Sequence, residues 1–279
     1  MSLIITGGHG FIGQNLKIFL KKKKIKFSIV DKRYGDLSLK KNWTKIPSGD
    51  ALIHLASSTG VDKSILNSKK YLNKILRINH NAINFCIKKN MKLIFPSSVI
   101  YGPQKKSKFS ENLIPKPNNP YLKSKYLSEK LIISMGKKNY LSYVILRIFN
   151  VYGPYQNKNF LIPHLLSGLK KKIRIKNLNS SRDYIFIEDV ISAIMKAVEY
   201  EKNDIFNVGS GKKYKVIDLI KLINKISYAN INFTSNEIFN KHEAISVKAD
   251  ITKAIKKLKW KPSINIHDGL KRCISFYEK

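Results

Sequence analysis

The stretch that decides the fold is Thr6-Gly-Gly-His-Gly-Phe-Ile-Gly13. It follows a short apolar segment and leads into an amphipathic one, so it predicts a turn between a β-strand and an α-helix. Glycines at the spacing of Gly7, Gly10 and Gly13 let the chain turn tightly, let backbone amides approach a pyrophosphate, and let the helix pack closely on the strand. The phosphate would then lie at the positive end of the helix. The pattern predicts a dinucleotide-binding turn.

An acidic residue about 20 positions beyond this turn strengthens the interpretation. Asp31 ends the second predicted strand, where a carboxylate accepts hydrogen bonds from both ribose hydroxyls and repels a 2′-phosphate. Asp31 therefore favours NAD as the cofactor. Lys32 and Arg33 follow immediately and would tolerate an additional phosphate, so NADP stays open as the alternative.

Short β-branched segments alternate with longer helical patterns through the first half of the chain, which is typical of βαβ units. Because such crossovers are nearly always right-handed, we expect an α/β fold with a doubly wound parallel (Rossmann) sheet. Residues 1–150 are assigned to this NAD-binding domain, with later strands from about 180–210 interleaved, and residues 151–279 mainly to a smaller C-terminal substrate-binding lobe. The predicted strands are 3–6, 27–31, 51–55, 92–97 and 142–147, and the predicted helices are 13–23, 71–89, 121–137 and 266–277.

The formal net charge of +35 raises the question of a nucleic-acid partner. Only six of the 53 basic residues are arginine, although arginine is the side chain suited to phosphates and base edges. The lysines are spread along the whole chain with abundant Ile and Asn, as expected from an A/T-rich coding bias. We therefore predict no nucleic-acid partner.

Cysteine usage and hydropathy bear on the compartment. Cys86 and Cys273 are too few and too far apart for a disulfide framework, and no Cys/His cluster has zinc spacing, so no metal site is predicted. Met1 leads straight into the first apolar strand, and no apolar run approaches the roughly 20 residues that span a bilayer. We expect a cytoplasmic protein without a signal or a membrane segment.

Tyr121 and Lys125 form a Tyr-x-x-x-Lys pair, which on a helix lies on one face. A Tyr hydroxyl has a pKa of about 10, and a nearby cation stabilises the phenolate and lowers that pKa. Tyr121 would then exchange a proton with a substrate hydroxyl while hydride moves to or from a nicotinamide. Ser97 ends the fourth predicted strand, where its hydroxyl would orient the reacting oxygen. Ser98 is the competing candidate.

With these motifs in order, the chain resembles the extended short-chain dehydrogenase/reductase family, specifically its NAD-dependent nucleotide-sugar epimerase/dehydratase group. The resemblance covers nearly the whole sequence. The matching segments are Thr6-Gly-Gly-His-Gly-Phe-Ile-Gly13, Asp31, His54-Leu-Ala56, Ser97-Ser-Val-Ile-Tyr-Gly102, Tyr121-Leu-Lys-Ser-Lys125, Leu146-Arg-Ile-Phe-Asn-Val-Tyr-Gly-Pro154, Arg182-Asp-Tyr-Ile-Phe-Ile-Glu-Asp189 and Phe206-Asn-Val-Gly-Ser-Gly211.

The resemblance implies a nucleoside-diphosphate sugar as the substrate and assigns the catalytic roles to Ser97, Tyr121 and Lys125. It gives His54 a structural hydrogen-bonding role rather than that of a catalytic base. Substrate contacts are implied for Ser98, Asn150 and Arg182. The implied cofactor site consists of Gly7, Gly10, Phe11, Ile12, Gly13, Asp31, Asp36, Leu37, Leu55, Ala56, Ser57, Tyr121, Lys125 and Phe149.

Departures from the family pattern reduce the number of activities that we expect. Relatives of the 4,6-dehydratase type carry Asp and Glu after the catalytic Ser or Thr, whereas this chain has Ser98 and Val99, so dehydration is not expected. Reductases that also epimerise GDP-sugars carry Cys and His where Val99 and Phe160 stand here, so that chemistry is not expected either. A second basic substrate contact has no clear match, although Lys241-His242-Glu243 lies near its expected place.

Our leading hypothesis is 4-epimerisation of a nucleoside-diphosphate hexose, with NAD taking hydride from C4 and returning it to the opposite face. The alternative is an NAD(P)H-dependent 4-keto reductase that uses the same residues. A non-catalytic NAD-binding protein is a third hypothesis, which the intact catalytic set argues against. Relatives commonly dimerise through the helices that correspond to 71–89 and 121–137, so a homodimer is predicted. The short spacing after Asp31 predicts an open adenine end of the cofactor site.

Overall fold

The computed structural model describes residues 1–57, 67–104, 108–138, 140–236 and 246–278, so Lys241-His242-Glu243 lies outside the described residues. The strands are β1 Ser2–Thr6, β2 Lys26–Val30, β3 Ala51–His54, β4 Lys92–Ser98, β5 Lys108–Phe109, β6 Tyr143–Ile148, β7 Asn150–Tyr152, β8 Ile173–Lys176, β9 Ser181–Arg182, β10 Tyr184–Phe186, β11 Asp204–Val208, β12 Tyr214–Lys215, β13 Phe233–Asn236 and β14 Lys248–Ala249. The α-helices are α1 Phe11–Lys22, α2 Ser68–Lys88, α3 Pro120–Lys137, α4 Leu161–Ser167, α5 Ile187–Glu199, α6 Val216–Ser227 and α7 Ile266–Tyr277.

The central sheet has six parallel strands in the order β11-β6-β4-β3-β1-β2. The chain runs outward from β1 to β2 and then returns to the other side of β1 at β3, so the strand order reverses there. In open α/β sheets the ligand binds at such a reversal, beyond the carboxyl ends of the strands. The predicted doubly wound parallel sheet is confirmed.

Alternation along β1 shows how the sheet acquires two buried faces. Leu3 and Ile5 pack with Leu16 of α1 on one face, whereas Ile4 belongs to the cluster that contains Ala82 of α2 on the other. Successive strand residues point to opposite faces, so an uninterrupted apolar strand needs helices on both sides. On the first side α1 packs against α5, and on the second α2 packs against α3.

The later part of the chain forms two-stranded pairs around the carboxyl end of the sheet. β7 pairs with β10, β9 with β12, β8 with β13, and β5 with β14. α6 packs on α7, while α5 and β11 join the central layers. The division of the chain at residue 150 into two domains stays a prediction. Within the described ranges, no helix is long and apolar enough to cross a membrane.

Several helix starts lie a few residues from the predicted ones, and capping explains the differences. The predicted helix at 13–23 begins at Phe11, because Gly10 is its N-cap residue. The side chain of Asn119 accepts a hydrogen bond from the Leu122 N–H, so α3 begins with Pro120 at its first turn. Proline is favoured there, because its missing N–H would have no partner within the helix.

Candidate active site

The glycine turn leaves room for a bound anion. Gly7 has a φ of 69°, and a Cβ there would lie 2.7 Å from the Ala56 nitrogen. The Gly10 N–H donates to the Gly7 carbonyl at 3.0 Å, and a Cβ on Gly13 would lie 2.5 Å from the same oxygen. No side chain caps α1 at Gly10, so the first amides of the helix face outward as donors for a phosphate. The residues fit the pyrophosphate of a dinucleotide.

Asp31 is held at the ribose end by its neighbour Arg33. The Arg33 Nη2 atom lies 2.8 Å from Asp31 Oδ2, and the Arg33 backbone N–H donates to Oδ1 at 3.0 Å. These hydrogen bonds lower the pKa of Asp31 to about 2, so the carboxylate is charged and able to accept from ribose hydroxyls. The Arg33 side chain is 81% exposed, and exposed ion pairs are weak, so a ligand can displace it at small cost.

Four residues of the predicted cofactor site, Asp36, Leu37, Ala56 and Ser57, line a cavity of about 720 Å3, where the adenine end was predicted. The Ser38 N–H donates to Asp36 at 2.9 Å, and this hydrogen bond and the Lys74 ammonium, also at 2.9 Å, lower the pKa of Asp36 to about 2. Residues 31–50, all of them described, contain the short 3-10 turns 32–34 and 40–45 and no α-helix. The cavity therefore lacks the wall that an α-helix between β2 and β3 would provide.

The helix α3 carries Tyr121 and Lys125 on one face, as predicted from their spacing. Lys125 Nζ lies 6.0 Å from the centroid of the Tyr121 ring and donates to the Pro96 carbonyl at 2.9 Å. Ser98 lies within hydrogen-bonding reach of the Tyr121 phenol. The structure thus brings a phenol, an ammonium and the hydroxyl of Ser98 together at the end of β4.

Burial shifts both titrating groups of this set. Burial lowers the pKa of Lys125 to about 8, and the nearby Glu129 carboxylate opposes that shift. Burial raises the pKa of Tyr121, while the hydrogen bond with Ser98 acts in the opposite direction. A raised pKa keeps the phenol protonated at neutral pH, so Tyr121 is a proton donor in the unliganded site.

Ser97 contacts α3 at a residue one turn beyond Lys125. Its hydroxyl donates to Glu129 Oε1 at 2.5 Å. Glu129 in turn pairs with Arg147, whose Nη2 atom lies 2.7 Å from Oε2, and their side chains are only 1% and 5% exposed. The carbonyl of the residue before Ser97, Pro96, accepts from Lys125, so Ser97 lies next to the predicted set. Within the described residues, the Ser97 hydroxyl donates to Glu129, whereas Ser98 is the serine beside the Tyr121 phenol.

A buried network extends from this ion pair to the ends of β6 and β11. Arg147 Nη1 lies 3.2 Å from the Tyr101 hydroxyl, which donates to Asn207 Oδ1 at 2.6 Å. Sequence reasoning missed Glu129 and Arg147. A signal was present, because an arginine within an apolar strand and an acid within a packed helix have to pair when both are buried.

Two of the predicted substrate contacts, Asn150 and Arg182, are linked through Asp183. Asn150 Nδ2 donates at 3.1 Å to the carbonyl of Asp183, the residue that follows Arg182 in the chain. The Asp183 carboxylate is fully buried and accepts from the N–H groups of Ser210 at 2.7 Å and Ala249 at 3.0 Å. Asp183 therefore fixes the segment that presents Arg182. The predicted cofactor neighbour Phe149 is buried in a cluster with Tyr101 and Phe109.

Comparison with known proteins identifies the group to which this site belongs. The family model described as "NAD dependent epimerase/dehydratase family" matches residues 3–209. The chain belongs to the NAD-dependent epimerase/dehydratase family. Membership confirms the predicted class, an enzyme of the nucleotide-sugar epimerase, reductase and dehydratase group with a nicotinamide cofactor.

Relatives within the NAD-dependent epimerase/dehydratase family have different activities. A dTDP-4-dehydro-6-deoxyglucose reductase of Escherichia coli is 32% identical, over 98% of this chain and 96% of its own length. The structure of RMD from Pseudomonas aeruginosa with NADPH has a TM-score of 0.90 at 25% identity, covering 99% of this chain and 98% of that one. A UDP-glucose 4-epimerase of Thermotoga maritima with UDP-glucose also has a TM-score of 0.90 at 25% identity, covering 100% and 99%.

Proposed function

We propose that this enzyme reduces the 4-keto group of a nucleoside-diphosphate hexose with NAD(P)H. The supporting observation is the adenine end of the site, where short 3-10 turns replace a helix over residues 31–50. A reductase consumes its cofactor and has to release the oxidised form in every turnover, and fewer contacts favour faster dissociation. The similarity to a 4-keto reductase and to a protein solved with NADPH supports the same choice.

The side chains of the site have distinct roles in this reaction. NAD(P)H, held by the glycine turn and Asp31, would supply the hydride for the reduction at C4 of the sugar. Tyr121 gives its phenolic proton to the C4 oxygen, Ser98 donates a hydrogen bond to the same oxygen, and the ammonium of Lys125 stabilises the phenolate that is left. Arg182 and Asn150 hold the diphosphate, a role for which a guanidinium fork is well suited.

The second candidate function is 4-epimerisation with a retained NAD. Asp31 supports it, because a carboxylate at the ribose favours NAD over NADP, and one of the similar structures is an epimerase. The same three side chains would serve, with Tyr121 acting first as base and then as acid. The two functions differ in whether cofactor is consumed.

The stoichiometry of cofactor decides between them. Purified protein is mixed with a dTDP- or GDP-4-keto-6-deoxyhexose and with NADPH or NADH, and the loss of absorbance is compared with the product formed. We expect one cofactor oxidised per product. Interconversion of UDP-glucose and UDP-galactose without added cofactor would instead establish the epimerase, and inactivity in both assays across UDP-, GDP- and dTDP-sugars would contradict both functions.

We predict that Ser98, rather than Ser97, is the catalytic alcohol. Ser98→Ala removes the hydroxyl beside Tyr121, and loss of one such donor lowers kcat by about 100-fold. Ser97→Ala removes one hydrogen bond from the buried Glu129 carboxylate, so it costs about 1.5–3 kcal/mol of unfolding free energy and leaves kcat near the wild-type value. Steady-state kinetics and urea unfolding of both variants test this, and the reverse pattern would return the catalytic role to Ser97.

We also propose a homodimer formed through α2 and α3. The outward sides of these helices enclose a shallow cavity lined by Leu76, Leu127 and Leu131 together with Arg77 and His80. Leu127→Glu would place a carboxylate in this interface, and we expect the variant to be a monomer by light scattering. Leu39→Glu, at a 46% exposed position elsewhere, is the matched control. A monomeric wild-type protein would refute the proposal.

A further inference from the structure

A buried chain of hydrogen bonds begins beside the glycine turn. The backbone N–H of Ala56 donates to Thr6 Oγ1 at 3.2 Å, and the same oxygen lies 2.7 Å from His54 Nδ1. Thr6 is fully buried and His54 is 2% exposed, so both side chains depend on protein partners. Ala56 itself lines the cofactor cavity.

The same chain of hydrogen bonds continues through α2 to α3, the helix that carries Tyr121 and Lys125. His54 Nε2 lies 3.0 Å from Asn79 Oδ1 on α2, and Asn79 Nδ2 donates to Ser128 Oγ on α3 at 2.7 Å. The Ser128 hydroxyl donates to the Ser124 carbonyl at 2.8 Å. Ser124 lies directly before Lys125 and three residues after Tyr121.

Only one protonation state of His54 satisfies every group. The amide oxygen of Asn79 accepts, so His54 Nε2 carries the proton, and Nδ1 then accepts from the Thr6 hydroxyl. Burial lowers the pKa of His54 to about 4, and the Lys125 ammonium acts in the same direction. His54 is therefore neutral at physiological pH, and every bond of the chain points from Ala56 towards Ser124.

We propose that His54 is a positioning residue that couples the cofactor turn to α3 and thereby sets Tyr121 and Lys125 at the nicotinamide. The inference rests on the function proposed above, since it assigns the reaction to those two side chains. Hydrogen bonds aligned in one direction polarise each other, so the chain holds its two ends more firmly than separate pairs would. A small displacement of catalytic groups has a large effect on rate.

The test removes a link at each end of the chain. Thr6→Val and Ser128→Ala each delete one hydroxyl, and we expect each to lower kcat about tenfold while KM and the dissociation constant for NAD(P)H stay within about twofold. If the chain acts as one unit, the double variant is no slower than the slower single variant. Thr6→Ser retains the hydroxyl and should restore kcat, and Ser134→Ala, exposed on the same helix, is the matched control.

Additive losses in kcat, or an unchanged kcat in both single variants, would overturn the proposal. Hydrogen–deuterium exchange of the α3 amides gives a readout that needs no turnover. The coupling can therefore be tested even if the proposed function is wrong. We expect faster exchange around Ser124 in Thr6→Val, even though Thr6 lies on β1 and Ser124 lies on α3. We expect no change in exchange in Ser134→Ala. Unaltered exchange in Thr6→Val would refute the coupling.

Discussion

The Tyr121→Phe variant is expected to lose turnover almost completely, with kcat lower by about 1,000-fold, within the range that a positioned acid or base contributes. The phenolic hydroxyl is the only part of the side chain removed, so the ring still packs beside Lys125, whose Nζ lies 6.0 Å from its centroid. Cofactor affinity should therefore change by less than about twofold. Single-turnover hydride transfer and fluorescence titration with NADH measure the two quantities.

The chain provides a matched control for this substitution on the same helix. Tyr126 and Lys130 repeat the Tyr-x-x-x-Lys spacing, with Lys130 Nζ 5.7 Å from the Tyr126 ring, but Lys130 is exposed. Tyr126→Phe should retain wild-type kcat. A Tyr121→Phe variant as active as Tyr126→Phe would remove Tyr121 from the mechanism.

The pH dependence of the same reaction follows from Lys125. Its pKa is lowered by burial to about 8, so the ammonium is present below pH 8 and is lost as the pH rises through that value. Because the ammonium stabilises the phenolate formed during ketone reduction, we expect kcat to fall on the alkaline side. In Lys125→Met the rate should be low at every pH, without that alkaline decline. A wild-type rate that rises through pH 8 would contradict this assignment.

The second large effect is on stability, in the variant Arg147→Met. It leaves the Glu129 carboxylate buried without its partner, and removal of one member of a buried ion pair costs about 3–5 kcal/mol of unfolding free energy. Urea unfolding followed by circular dichroism measures the loss. Because two apolar side chains fill the same space without an unpaired charge, Glu129→Leu combined with Arg147→Met should recover most of it.

An exposed ion pair with the same distance is the control. Arg272 Nη1 lies 2.7 Å from Glu188 Oε2, but these side chains are 49% and 59% exposed. Exposed pairs contribute about 0–1 kcal/mol, so Arg272→Met should hardly change the unfolding free energy. Equal losses in Arg147→Met and Arg272→Met would mean that burial of the first pair does not decide its contribution.

Local patterns predicted the sheet, the glycine turn and the Tyr121–Lys125 pair, because each depends on spacing along the chain. The choice between Ser97 and Ser98 as the catalytic alcohol does not depend on spacing along the chain. Both serines end β4 and contact α3, Ser97 through Glu129 and Ser98 through Tyr121. Which turn of α3 each hydroxyl reaches depends on how the helix packs on β4, and the sequence pattern contains no information on that alignment.

Side-chain partners separated along the chain were only half predictable, because the sequence indicates that a buried arginine and a buried acid need partners but not which residues those partners are. Glu129 and Arg147 lie on different elements and meet only after α3 has packed on the sheet. The sequence indicated a structural hydrogen-bonding role for His54 but gave neither of its partners. Thr6 and Asn79 are polar residues in apolar surroundings, and their pairing with His54 depends on β1, β3 and α2 meeting at one buried point.

The contact between Arg33 and Asp31 also bears on which substitutions the chain tolerates beside Asp31. The guanidinium of Arg33 is 81% exposed and contacts the Asp31 carboxylate by reaching back two residues, so no layer of the sheet has to move when Arg33 is replaced. A single substitution at position 33 can therefore change the charge next to Asp31 without a cost in core packing, whereas a Cβ added at Gly7 or Gly13 would collide with backbone atoms.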